Sequence, residues 1–293
     1  MYKLFIILPV FISLSASAQT STDKPRIIYG QCTRDSLLNP PFDQWFKTGY
    51  DSYQPASATT AALKNQNFKD ISIEVFFGTW CGDSKREVPR FLKLLNEISF
   101  PENKTTLIAV GGGDSLLKQS PRHQEEGKGI FRVPTIIVYK NGVEINRINE
   151  FPVSSLEKDF LQILANQSYS PNYHSFFLIK KWLSDGTLAD ENISSRSLSG
   201  QLELLVNNEN ELNSLGYVLL KQGKKKDALR IFQANYYLFP QSSNVSSSLG
   251  EGYYENSDYK KAISSLERSL ELNKDPKAIP EILLILYKAK EKG

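Results

Sequence analysis

Phe76-Phe77-Gly78-Thr79-Trp80-Cys81-Gly82-Asp83-Ser84 is the stretch on which the reading of this chain turns. Just before it, Ile71 to Phe77 is an apolar run rich in β-branched and aromatic side chains, the composition of a buried strand. Just after it, Val88, Phe91, Leu92 and Leu95 recur at i, i+3, i+4 and i+7, which predicts a helix from Ser84 to Ile98. Cys81 therefore falls where a strand gives way to a helix. Unpaired N–H groups and the helix dipole favour negative charge at such a place. A thiolate held there is a nucleophile for disulfide exchange. Asp83 opposes that charge, whereas Lys85 and Arg86 favour it.

Outward from this stretch the pattern alternates. Ser57 is placed to cap a short helix through Lys64. Thr105 to Val110 reads as a second strand, ended by Gly111-Gly112-Gly113. Thr135 to Tyr139 is a third, and a tight turn at Asn141-Gly142 leads into a fourth from Val143 to Ile148. Ser154 and Glu157 have capping-box spacing ahead of a helix through Ala165. The order β-α-β-α-β-β-α predicts an α/β sandwich with a mixed sheet.

Trp80-Cys81-Gly82-Asp83-Ser84 resembles the Trp-Cys-Gly-x-Cys segment of thioredoxins. Pro89, eight residues past Cys81, matches the proline of their helix. Val133-Pro134-Thr135 with Tyr139-Lys140-Asn141-Gly142 resembles their cis-proline turn and hairpin. The resemblance covers Ser57 to Gln167 and implies a thioredoxin-like fold. It further implies that Cys81 attacks a substrate disulfide, that Trp80, Val133 and Pro134 hold the peptide beside it, and that Ser84 donates to the thiolate. Protein thiols or disulfides are the implied partners, and no cofactor is implied.

The sequence departs from the family at two places. Ser84 stands where the resolving cysteine belongs, and Val75 where thioredoxins keep a buried Asp; Glu74 is adjacent but on the other face of the strand. Release of a bound substrate then needs an outside thiol or Cys32, the only other cysteine. Three readings of Cys32 stand: a tethered resolving arm that closes on Cys81, a static bond, or an unpaired thiol. Two readings of Cys81 also stand: a working nucleophile, or a residue left in a non-catalytic binding module, because a fold does not fix a function.

The remainder divides by composition. Residues 1–18 read as an export leader: Lys3, an apolar run from Leu4 to Leu14, and the cleavage site Ala16-Ser17-Ala18. Localisation is then exported, periplasmic or secreted, with no membrane span after leader removal. Residues 19–56 form an N-terminal extension rich in Pro, Tyr, Asp and Ser, 57–167 the α/β domain, and 168–207 a connector, helical around Phe176 to Leu183. From 208 to 293 the chain repeats: Leu215-Gly216, Ala228 and Leu238 return as Leu249-Gly250, Ala262 and Leu272, each 34 residues on. That period resembles the tetratricopeptide repeat, an all-α helix-turn-helix unit. A truncated third unit places Leu283 and Tyr287 under Leu249 and Tyr253. The resemblance implies a groove for a protein or peptide, lined by Asn213, Tyr217, Glu251 and Tyr254.

Other chemistries are excluded or left bare. A net charge of +3 over 293 residues is too balanced for nucleic-acid binding. Two cysteines and two histidines make no metal-ligand pattern, so no metal is expected. His123 and His174 read as surface residues, and no Lys-Ser or Lys-Thr follows the glycine run to make a phosphate loop.

Overall fold

The computed structural model describes residues 26–113 and 116–293. The expected leader, residues 1–18, and the start at Gln19 lie outside the described residues. Strands β1 (Gly30–Cys32), β2 (Ile71–Phe77), β3 (Thr105–Ala109), β4 (Thr135–Lys140) and β5 (Val143–Asn149) form a mixed sheet in the order β1-β3-β2-β4-β5. Only β2 and β3 are parallel, with Val75 opposite Leu107; the other pairs are antiparallel. A parallel pair needs a crossover, and helix α4 (Gly82–Glu97) supplies it. Numbering from the N-terminus, the helices before it are α1 (Arg34–Leu37), α2 (Asp43–Ser52) and α3 (Ser57–Lys64), and α5 (Leu156–Leu164) follows β5.

The two-residue period of β2 divides its side chains between two cores. Ile71, Ile73, Val75 and Phe77 enter the main core, where Phe46, Phe91 and Phe160 from α2, α4 and α5 cover them. Phe76 faces the other way and clusters with Ile108, Val110, Ile130, Val133 and Ile137. The helix expected between β3 and β4 is absent among the described residues, where 110–113 and 116–134 form an irregular stretch. Gly127 and Gly129 take positive φ there (71° and 64°), which no continuous helix allows. Polar ties anchor the stretch instead: Lys128 Nζ to Glu74 Oε2 at 2.6 Å, and Arg147 Nη1 to the Gly129 carbonyl at 3.2 Å.

Two expected caps are displaced by one residue. The N-cap of α3 is Ala56, and Ser57 is already helical. Ser155, not Ser154, caps α5, accepting from the Lys158 N–H at 3.3 Å. Glu157 is drawn away from any capping box by tertiary partners, the Tyr53 hydroxyl (2.6 Å) and the Ala56 N–H (3.1 Å). The N-terminal extension is part of the domain rather than a cover over it. It supplies edge strand β1 and buries Leu37, Phe42 and Phe46 in the main core.

The C-terminal part is all helical: α6 (Ser175–Asp185), α7 (Ser195–Leu202), α8 (Glu209–Lys221), α9 (Lys225–Leu238), α10 (Ser243–Glu255), α11 (Tyr259–Leu272) and α12 (Ile279–Lys290). Helices α8 and α10 start 34 residues apart, as do α9 and α11. The small residues fall where helices touch: a Cβ on Gly216 would lie 2.3 Å from Phe232, and one on Gly250 2.6 Å from Leu266. The expected connector is not a spacer. Its Phe176, Ile179, Trp182, Leu188, Leu198 and Leu202 are buried in one cluster with α8 and α9. Phe131 of the irregular stretch joins that cluster, edge-on to Phe176 at 5.1 Å. The last helix is rotated from its expected register. Ile282, Leu286 and Ala289 are buried, whereas Leu283 is half-buried and Tyr287 exposed.

Candidate functional site

The site is assembled where β2 ends and α4 begins. Cys81 is itself the N-cap residue of α4, with extended backbone (φ −87°, ψ 128°), and its amide donates to the Gly78 carbonyl at 3.0 Å. The amides of the first helical turn consequently lack helical acceptors. Cys81 Sγ donates to the Val133 carbonyl at 3.3 Å, and the Val133–Pro134 peptide is cis. The structure thus brings Cys81, Val133 and Pro134 together across 52 residues.

Trp80 lies beside the thiol and is 37% exposed. Its Nε1 donates to the Val110 carbonyl at 2.9 Å, and its indole rests on bare backbone. A Cβ on Gly112 would lie 2.4 Å from the ring, and one on Gly78 2.6 Å. The glycine run after β3 is therefore a seat for Trp80. Thr79 is buried, and its hydroxyl accepts from the Ile28 N–H at 3.2 Å, tying the N-terminal extension to the site loop.

Ser84 is not placed to serve the thiolate. It is fully buried, and its hydroxyl accepts from the Gly78 N–H at 3.1 Å. No hydrogen bond from Ser84 to Cys81 is present among the described residues. A side chain in the first helical turn points back towards the helix N-terminus, here under the 78–81 loop, which Ser84 fixes.

Cys32 is remote as well. Both thiols are free. Cys32 pairs with Leu107 on β3, which pairs with Val75 on β2, so two strand spacings, about 9.6 Å, separate Cys32 from β2. Cys81 leans the other way, towards Val133 ahead of β4. The separation exceeds the Cα reach of a disulfide, about 7 Å. The tethered arm and the static bond are both ruled out in this fold, which leaves the unpaired thiol. Burial pushes the Cys32 thiol up to about 11, where little of it is thiolate near neutral pH. It lines a cavity of about 530 Å³ with Leu92, Leu95 and Phe100.

Charge near Cys81 comes first from the expected residues of its own helix. Arg86 pairs with Asp83 at 2.8 Å, which offsets the carboxylate facing the helix start. Lys118, from the irregular stretch, is buried, and its amide donates to the Gly111 carbonyl at 2.8 Å. Burial, and then the Arg132 charge, lower its ammonium to about 8; Glu150 and Cys81 act in the opposite sense. Arg132 contacts Glu150 at 3.4 Å. Burial raises the Glu150 carboxyl, against the pull of Arg132. Nothing in the sequence marks Lys118, since a lone lysine in an unpatterned stretch reads as solvated. His123 is exposed beside Glu125, and His174 is exposed at the start of α6. Val75 is buried in the main core, and Glu74 on the opposite face is held by Lys128 and the Tyr139 hydroxyl (2.7 Å).

In the helical part, the Tyr217 hydroxyl donates to Glu251 at 2.8 Å, and both line a cavity of about 560 Å³ between α8, α10 and α12. Burial raises the Glu251 carboxyl, although the Tyr217 hydrogen bond opposes this. Asn213, one turn before Tyr217, is buried with its Oδ1 unpartnered. Tyr254 is not in this groove; its ring packs on Tyr259 at 5.8 Å, under the Lys292 ammonium.

No protein-family profile matches the chain, and no curated protein matches it. Among the described residues no helix is long and apolar enough to cross a membrane, and no group of three or more His, Cys, Asp or Glu is placed to hold a metal ion.

Proposed function

We propose that this chain is an exported thioredoxin-like protein that carries out thiol–disulfide exchange through Cys81, with a tetratricopeptide-like region that docks a protein partner. One observation carries the reading: a free thiol at a helix start, 3.3 Å from the carbonyl beside cis-Pro134, flanked by a half-exposed indole. The start of a helix is a general place of affinity for negative charge. A peptide disulfide lying between Trp80 and Val133 presents its sulfur to Cys81. Attack forms a Cys81 mixed disulfide and releases the other substrate sulfur as a thiolate.

Ser84 is buried and Cys32 is remote, so an outside thiol must resolve that mixed disulfide. Wild-type protein treated with glutathione disulfide should therefore hold one stable glutathione adduct on Cys81 by intact mass. Reduction of insulin should need added glutathione, and Cys81→Ala should abolish it. Absence of any adduct, together with partner binding that survives Cys81→Ala, would replace this reading with that of a non-catalytic binding module.

A further inference from the structure

We infer that Arg132 is a positioning residue for the exchange reaction: through it the helical part fixes the Val133 carbonyl that meets the Cys81 thiol. This rests on the thiol-exchange reading. Arg132 immediately precedes Val133, whose carbonyl accepts from Cys81 Sγ at 3.3 Å. Its own carbonyl accepts from the Thr135 hydroxyl at 2.7 Å, across the turn. Its guanidinium meets three other segments. Nη1 lies 3.4 Å from Glu150 Oε1 at the end of β5, and Nη2 donates at 3.2 Å to the Asn210 carbonyl in the first turn of α8. The group also stands over the Tyr173 ring, 4.9 Å from its centre. Tyr173 stacks on Phe176 at 4.9 Å, and Phe131, the residue before Arg132, meets Phe176 edge-on. The two residues ahead of Val133 are thus seated on one aromatic pair at the head of α6.

The ion pair also closes a ring around that carbonyl. The Glu150 N–H donates to the Pro134 carbonyl at 2.6 Å, while the Glu150 carboxylate holds Arg132. Val133 lies between Arg132 and Pro134, so Glu150 fixes both of its flanks. The Arg132 and Glu150 side chains are only 22% and 12% exposed, and little water competes for the pair. Glu150 takes φ +63°, a backbone conformation costly for a residue with a side chain, which persists where the surroundings hold it.

A guanidinium suits this place because its planar fork reaches a carboxylate and a carbonyl at once, whereas an ammonium is a point charge. Removing it leaves Glu150 without its ion-pair partner and frees the turn from α8. The Val133 carbonyl then loses its fixed place beside Cys81, where a substrate peptide must also lie. Arg132 acts through Val133; among the described residues it makes no hydrogen bond to Cys81 itself.

The test compares two rates at Cys81 in the full-length protein, as wild type, Arg132→Met and Arg132→Lys. One is attack on the disulfide dimer of N-acetylcysteine methylamide, a neutral peptide probe. The other is alkylation by iodoacetamide, which needs no seat beside Val133. The thiolate population enters both rates and cancels in their ratio, so the ratio reads positioning rather than charge. Arg132→Met should lower the ratio about tenfold, since misplacing a reacting group by about 1 Å can cost a hundredfold. Arg132→Lys should lower it less, because an ammonium still pairs with Glu150. A second measurement is hydrogen exchange: the Glu150 amide should exchange faster in Arg132→Met, while amides paired between β2 and β4 keep their protection and show the fold intact. An unchanged ratio in a variant that keeps the β2–β4 protection, or an unchanged Glu150 amide, would overturn the proposal. If Arg132→Met fails to fold, Arg132→Lys is judged on the same two readings. If wild type does not attack the probe but the Glu150 amide responds, the anchoring by Arg132 stands and the thiol-exchange reading falls.

Discussion

Replacing Gly112 by alanine attacks the seat of Trp80 by a known amount. The added Cβ would lie 2.4 Å from the indole Cδ2, so the ring must retreat about 1.2 Å to reach ordinary contact near 3.6 Å. That retreat breaks the 2.9 Å bond from Nε1 to the Val110 carbonyl, worth about 0.5–1.5 kcal/mol. Forced repacking of a close contact adds about 1–3 kcal/mol. The expected loss is then about 1.5–4.5 kcal/mol in denaturant unfolding. Because Trp80 is already 37% exposed, the ring has an open side to move into, and its fluorescence should become more accessible to a soluble quencher. Trp45 and Trp182 also emit, so the signal is read as the difference from Trp80→Phe. Gly113→Ala is the matched control: its Cβ meets nothing within 4 Å, and a change within about 0.5 kcal/mol is expected. Equal stability and equal quenching in Gly112→Ala and Gly113→Ala would refute the argument.

Three other outcomes follow from the packing. Gly216→Ala should destabilise by about 1–3 kcal/mol, because its Cβ would meet fully buried Phe232 at 2.3 Å, whereas Gly200→Ala, in open space on α7, should stabilise by about 0.5–1 kcal/mol; thermal melts separate them. Glu144 is held ionised by Arg147 (2.6 Å) and Lys180 (2.7 Å), which overcome its burial and lower its carboxyl below 4.5. Its stabilisation is present above 4.5 and is lost as pH falls through the lowered value, so the stability gap between wild type and Glu144→Gln should close on acidification below 4.5. Phe131→Ala should cost about 3–5 kcal/mol and also alter Cys81 alkylation, since Phe131 anchors the turn that carries Val133; unaltered alkylation would show the turn to be self-supporting.

What was legible in the sequence follows physical scale. Strands β2 to β5 are long enough for a two-residue period or a buried run to be visible, and their bounds agree with the expected ones within about a residue. Strand β1 is Gly-Gln-Cys, too short for any period, so the extension gave no sign of joining the sheet. The Cys81, Val133 and Pro134 cluster was readable because each member lies in a motif, whereas the irregular stretch whose Lys118 N–H pairs with the Gly111 carbonyl carries no periodicity to read. Ser84 was read by position rather than direction; the turn of α4 points its hydroxyl beneath the loop. The 34-residue repeat was readable because helix contacts demand small residues at Gly216 and Gly250, but the packing of α6 and α7 on that core depends on scattered single apolar residues.

Strand β1 is made early and used late. Its partner Leu107 is 75 residues downstream of Cys32 (107 − 32 = 75), so a chain growing from its N-terminus carries β1 unpaired while β2 and α4 are added. At about 5–20 residues per second that interval lasts roughly 4–15 s. The Val133 carbonyl arrives later still, 52 residues after Cys81. A nascent chain therefore presents its cysteine at a helix start before the carbonyl that receives the thiol exists, so this corner cannot close until Val133 has been added. Three residues of bare edge strand are a modest hazard during that wait; a longer β1 would expose a templating edge throughout it.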